Sequence, residues 1–118
     1  PCAFKRLKGC GVGMEYCAVT PEGDIYPCHQ FVGEEQFKMG SVMDDPITLD
    51  PTVQKPFRQL MVPDKPECHD CWARFFCSGG CAANSYHVSG SITGSDKIGC
   101  AMQKKRLECA LWLKSRQA

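Results

Sequence analysis

The chain has 118 residues and ten cysteines, and its 14 lysines and arginines against 13 aspartates and glutamates leave a formal net charge of +1. Scattered basic residues on a near-neutral chain give no basic face for nucleic acid or an anionic membrane, and no stretch is apolar enough for a membrane span or a signal-peptide core. A single core at this length gives only modest stability, so the cysteines are expected to help hold the fold; with no sign of secretion, a soluble cytoplasmic chain with metal-ligating cysteines is favoured over a disulfide scaffold.

From the N-terminus, Cys2 to Gly40 contains a hairpin signal: Glu15-Tyr-Cys-Ala-Val, then Thr20-Pro-Glu-Gly-Asp24, then Ile25-Tyr26. Proline suits the first central position of a type I turn, and Gly23 can take the left-handed conformation that closes a three-residue hairpin loop. Pairing Thr20 with Asp24 then sets Tyr16 across from Cys28 and Cys17 across from Pro27, so Cys17 and Cys28 point to opposite faces. The next region, Ser41 to Lys65, lacks cysteine and is rich in Pro and Asp. Asp50-Pro51 predicts a helix N-cap with proline in the first turn, and Pro56 starts or kinks a second short helix ahead of Phe57-Arg-Gln-Leu-Met61. The last region, Pro66 to Ala118, opens on a dense cysteine cluster. It closes with a helix from about Cys100 to Lys114, carried by Leu107, Ala110, Leu111, Trp112 and Leu113. On that helix Cys100 and Cys109 fall on opposite sides and make poor partners for one site.

Read together, the cysteines give C-x12-G-x4-C from Cys10 through Gly23 to Cys28, then C-x2-C-x5-C-x3-C at Cys68, Cys71, Cys77 and Cys81, then Cys100. A C-x2-C unit folds back so that two thiolates reach one metal or cluster, a feature common to zinc and iron-sulfur sites. The full seven-cysteine string is far more specific and resembles the SPASM domain, the auxiliary-cluster domain of many radical S-adenosylmethionine enzymes. Three stretches, Cys10-Gly-Val-Gly, Val19 to Glu35 and Cys71-Trp-Ala-Arg-Phe-Phe-Cys-Ser-Gly-Gly-Cys81, further resemble the maturases of six-cysteine (SCIFF) peptides that install thioether cross-links. The sulfatase-maturing branch has an acidic residue directly after its second motif cysteine; here that place holds His29, which disfavours formylglycine formation.

The resemblance implies two 4Fe-4S clusters. The first would use Cys10, Cys28 and Cys81, with its fourth position either taken by Cys2 or left as an open iron for a substrate thiolate; the second would use Cys68, Cys71, Cys77 and Cys100. It implies a single α+β domain over 1–118: a β-hairpin, loops around two clusters and a C-terminal helix. This domain would be the C-terminal part of a longer enzyme whose S-adenosylmethionine site lies in an N-terminal barrel domain. Its partners would be that barrel and a cysteine-rich precursor peptide. The radical-generating motif C-x3-C-x2-C is missing, because position 84 after Cys77-x3-Cys81 is Asn, so no catalytic residue is expected here and the segment alone should be inactive. What it offers is electron transfer, thiolate binding and a wall of the substrate site.

The competing expectation is a structural zinc module that scaffolds protein contacts, since thiolate pairs serve zinc equally well. Cys17 and Cys109 are expected to be small buried hydrophobes rather than ligands. His29, His69 and His87 are expected to be hydrogen-bonding or exposed residues. Trp72, Phe75 and Phe76 are expected to pack around the clusters and exclude water, Gly11, Gly13, Gly79 and Gly80 to let backbone amides approach cluster sulfurs, and Lys104-Lys-Arg106 to form a solvated helix face.

Overall fold

The turn over Thr20–Asp24 sets the register of a small antiparallel sheet. In the computed structural model, which describes residues 3–117, β1 (Ala18–Val19) pairs with β2 (Asp24–Tyr26) so that Ala18 faces Tyr26 and Val19 faces Ile25. The Thr20 amide donates to the Asp24 carbonyl at 2.9 Å, and Gly23 takes a positive φ of 94°, as the turn chemistry requires. The expected count outward from Thr20 and Asp24 therefore holds. Sequence reasoning missed β3 (Gly40–Ser41), which adds to the far side of β2 with Ile25 facing Gly40. A Cβ on Gly40 would stand 2.5 Å from the Thr48 carbonyl oxygen, so only glycine admits that close approach.

The chain divides into two compact units, one of Lys8–Leu60 and the other of Pro1–Leu7 with Met61–Ala118. The Lys8–Leu60 unit has a conventional core. Phe31, Met39, Phe57 and Tyr26 are all but fully buried, joined by Ile25 and Val12. The rings of Phe31, Phe37 and Phe57 meet with centroids 4.4, 5.6 and 6.0 Å apart, the offset and edge-on spacing that aromatic quadrupoles favour. Phe57 comes from α2 (Pro51–Arg58), which starts as predicted: the Asp50 carboxylate accepts from the Thr52 amide at 2.8 Å and from its hydroxyl at 2.6 Å. Pro56 neither starts nor ends a helix but lies inside α2, which is one helix instead of two pieces.

Among its described residues the other unit has few large buried side chains. Val62, Ala73, Ala82, Ala83 and Ile92 are the buried apolar ones, with Lys65 and Ser85 the buried polar ones. Its helices are α1 (Ala3–Lys8), α3 (Arg74–Cys77), α4 (Ala82–Ser89) and α5 (Lys97–Arg116). The helix α5 begins three residues before the expected start because the Asp96 carboxylate accepts from the Ile98 amide at 3.1 Å. Its expected apolar face is corrected: Leu111, Trp112 and Leu113 are all more than half exposed, and no residue of α5 is buried. Among the described residues, no helix is long and apolar enough to cross a membrane. The architecture is α+β.

Candidate metal centre

The cysteine-dense segment is a succession of tight turns. The Lys65 carbonyl accepts from the Cys68 amide at 3.0 Å and the His69 amide at 3.1 Å, and the Cys68 carbonyl accepts from the Cys71 amide at 3.1 Å, folding the C-x2-C unit back on itself. The short α3 then delivers Cys77 at its C-terminus. Ser78, Gly79 and Gly80 follow with φ of 59°, 82° and 73°, and Cys81 stands at the N-cap of α4. Cys100 arrives separately, on the first turn of α5, where the Asp96 carbonyl accepts from its amide at 2.8 Å. A helix N-terminus favours a thiolate over a thiol.

These turns bring Cys68, Cys71, Cys77 and Cys100 onto the wall of one cavity of about 630 Å³. Cys81 lines it as well. The thiols feel one another. Burial pushes Cys68 above the ordinary thiol range, Lys65 opposes this, and charge on Cys100, Cys71 and Cys77 would push it higher. Burial likewise raises Cys100, with Cys77 and Cys71 adding to the rise and Lys104 opposing it. Binding a metal removes that penalty, because a cation stabilises the thiolate form.

The all-sulfur donor set is that of zinc or an iron-sulfur cluster, not of magnesium or calcium. Among the described residues, no three His, Cys, Asp or Glu side chains draw close enough to hold a single ion. A cavity walled by five thiols fits a cluster, whose own irons and sulfides would occupy the space between its ligands. Its lining is also cationic, with Arg74, Lys97, Lys104 and Arg106 against Glu67 and Asp96, which suits the negative charge of a thiolate-bound cluster.

Cys10 and Cys28 belong to the Lys8–Leu60 unit, Cys10 exposed and Cys28 buried where β2 ends. Cys2 lies outside the described residues. Cys17 and Cys109 are both exposed, so the expectation of small buried hydrophobes is corrected. His29 and His69 make the expected hydrogen bonds, to the Tyr16 hydroxyl at 3.3 Å and to Asp70 at 2.9 Å. Trp72, Phe75 and Phe76 are 48, 44 and 60% exposed, which corrects their expected role as water-excluding packing. Of the three only Phe76 lines the cavity, while the Arg74 guanidinium lies 4.6 Å from the Phe75 ring centroid.

The profile of SPASM, an iron-sulfur cluster-binding domain, matches residues 10–72, just over half of the chain. The chain belongs to the SPASM family. The match takes in Cys10, Cys28, Cys68 and Cys71; beyond it, the shared cavity joins Cys77, Cys81 and Cys100 to the last two. This SPASM chain is 34% identical over 100 residues to an uncharacterized protein of Archaeoglobus fulgidus, covering 84% of the chain and 24% of that protein. It is 32% identical over 96 residues to the mycofactocin maturase MftC of Mycobacterium ulcerans, covering 80% of the chain and 26% of the maturase. Against the mycofactocin maturase MftC of Mycolicibacterium smegmatis the identity is 30% over 98 residues, covering 81% and 25%. The chain thus spans about a quarter of the length of these relatives.

Three residues of this SPASM chain near the cysteines escaped sequence reasoning. Lys104 and Arg106 line the cavity rather than serving only as a solvated face, and their signal was their place one turn and more beyond Cys100. Lys65 is 4% exposed, although lysine is almost never fully buried. Its only signal was its position three residues before Cys68.

Proposed function

We propose that this chain is the auxiliary-cluster domain of a radical S-adenosylmethionine peptide maturase and holds two 4Fe-4S clusters. The observation that carries the proposal is the convergence of Cys68, Cys71 and Cys77 with the distant Cys100 on one cavity. These four would hold the second cluster. Cys10, Cys28 and Cys81 would hold the first, with Cys2 as its fourth ligand, since a residue close before Cys10 needs little chain ordering to reach the same cluster. Bound there, the clusters would supply electron transfer, with potentials set by charge, hydrogen bonding and exposure.

Membership of the SPASM family and similarity to proteins named maturases support the placement within a larger enzyme. The barrel domain that cleaves S-adenosylmethionine would lie elsewhere in the same protein, and this segment alone would be inactive. The likeness of Val19–Glu35 and Cys71–Cys81 to SCIFF maturases supports a thioether cross-link in a cysteine-rich precursor peptide as the product.

The test is anaerobic reconstitution followed by iron and sulfide analysis. About eight irons per chain are expected, with visible absorbance that bleaches under dithionite. Near four irons with no second signal on reduction would remove the two-cluster claim. A colourless, zinc-loaded protein that refuses iron would replace it with the structural zinc module.

A further inference from the structure

Among the described residues, Lys65 is the one buried charge, and the ligand scheme leaves it unused. Its backbone and side chain act on two different cysteine turns. The carbonyl receives the Cys68 and His69 amides, while Nζ donates to the Gly79 carbonyl at 2.7 Å and the Ser85 hydroxyl at 3.5 Å. The stem packs on the same turn, since a Cβ on Gly79 would stand 3.3 Å from Lys65 Cδ. Lys65 thus ties the C-x2-C turn to the midpoint of the Cys77-x3-Cys81 turn. It does so from behind: Gly79 and Ser85 line the cavity and Lys65 does not.

Both acceptors of Nζ are neutral. Among the described residues, no carboxylate pairs with Lys65. A buried cation without a counter-ion is costly and calls for negative charge nearby. The nearby source is the thiolate wall, since the Lys65 carbonyl holds the Cys68 amide at 3.0 Å and Nζ holds the Gly79 carbonyl midway between Cys77 and Cys81. A thiolate-bound cluster gains a further negative charge on reduction, and a cation fixed in a poorly solvated site favours that gain, screened by salt far less than a surface charge.

We infer that Lys65 is a positioning residue for the Cys68–Cys71–Cys77–Cys100 cluster, clamping two ligand turns together and raising the cluster's reduction potential through its buried charge. This rests on the proposed function. The clamp explains why lysine, with a long apolar stem and a terminal donor, suits this position; the charge explains why a neutral residue of the same length would not replace it.

The test compares Lys65→Met and Lys65→Arg with the unmutated protein, each reconstituted and titrated electrochemically. If Lys65→Met retains the cluster, its midpoint potential should fall, Lys65→Arg should stay near the original value, and the shift should persist at high salt. An unchanged potential in loaded Lys65→Met overturns the inference. If Lys65→Met retains no cluster, a loaded Lys65→Arg shows that the cation is required, whereas loss of the cluster in both shows a steric role and also overturns it. Failure of the unmutated protein to hold an iron-sulfur cluster at Cys68–Cys100 would instead remove the proposed function, so the two failures remain distinct.

Discussion

The Lys8–Leu60 unit and the Met61–Ala118 segment solve the same stability problem in different ways. The first buries Phe31, Phe57, Met39 and Tyr26 around a three-stranded sheet, and each of these side chains, once fully buried, contributes about 2–3 kcal/mol from its apolar surface. Among its described residues the second buries mainly alanines with Val62 and Ile92, and it holds a thiol-lined cavity. Where the chain has aromatic residues to bury, it makes a core. Where it has the close-set cysteines from Cys68 to Cys100, it lines a cavity, and a cluster bound there, as proposed, would become part of the folding energy.

The difference can be broken most severely at a ligand. Cys77→Ala should abolish the Cys68–Cys100 cluster, removing about four of the eight irons, and loosen the segment from Cys68 to Cys100, because a structural metal can supply on the order of 10 kcal/mol. Iron analysis with hydrogen exchange would show both effects, and exposed Cys109→Ala should show neither. A fully loaded, well-protected Cys77→Ala protein would mean that the ligand assignment is wrong.

A smaller effect is expected in the other unit. Phe31→Ala leaves a cavity between Phe37 and Phe57 and should cost about 3–5 kcal/mol. Denaturant titration followed by far-UV dichroism would measure it, with the visible spectrum of the Cys68–Cys100 cluster retained. Loss of that spectrum in parallel would show that the two units fold as one. The mildest change is Asp96→Ala, which removes the cap of α5 and should cost about 1 kcal/mol. Since the same turn presents Cys100, the thermal midpoint of the loaded protein should fall by a few degrees; an unchanged midpoint would show that the cap contributes nothing once the cluster is bound.

What could be read in advance followed the strength of local chemistry. Pro21 and Gly23 fix one turn geometry, and from it the register of β1 and β2 follows by counting. Asp50-Pro51 is equally direct, whereas Asp96 has no proline after it to mark it as a cap. A two-residue strand such as Gly40–Ser41 has no periodicity to read, and its pairing depends on the distant Thr48 leaving room for a missing side chain. At the site, spacing yields C-x2-C pairs but not their grouping, which rests on resemblance; the cavity gathers Cys68, Cys71, Cys77 and Cys100 but takes in Cys81 as well. Lys65 escaped because a lysine among prolines looks like surface, and only the tertiary turn at Gly79 supplies the acceptor that buries it. The exposure of Leu111, Trp112 and Leu113 was illegible for the opposite reason: an apolar run predicts burial, and within the described chain nothing covers this one.

The three residues between Cys77 and Cys81 are more than a length of chain. Because φ is positive at Ser78, Gly79 and Gly80 in succession, the backbone there winds in the sense opposite to the helices on either side. Two of the three are achiral, and a Cβ on Gly79 would also meet Val62 Cγ2 at 3.0 Å. An insert of the same size made of ordinary L-residues would preserve the spacing and lose the turn. The stretch written as C-x3-C is therefore a requirement on handedness as well as on distance, and a chain with correctly counted cysteines but three ordinary L-residues between them would hold this turn only under strain.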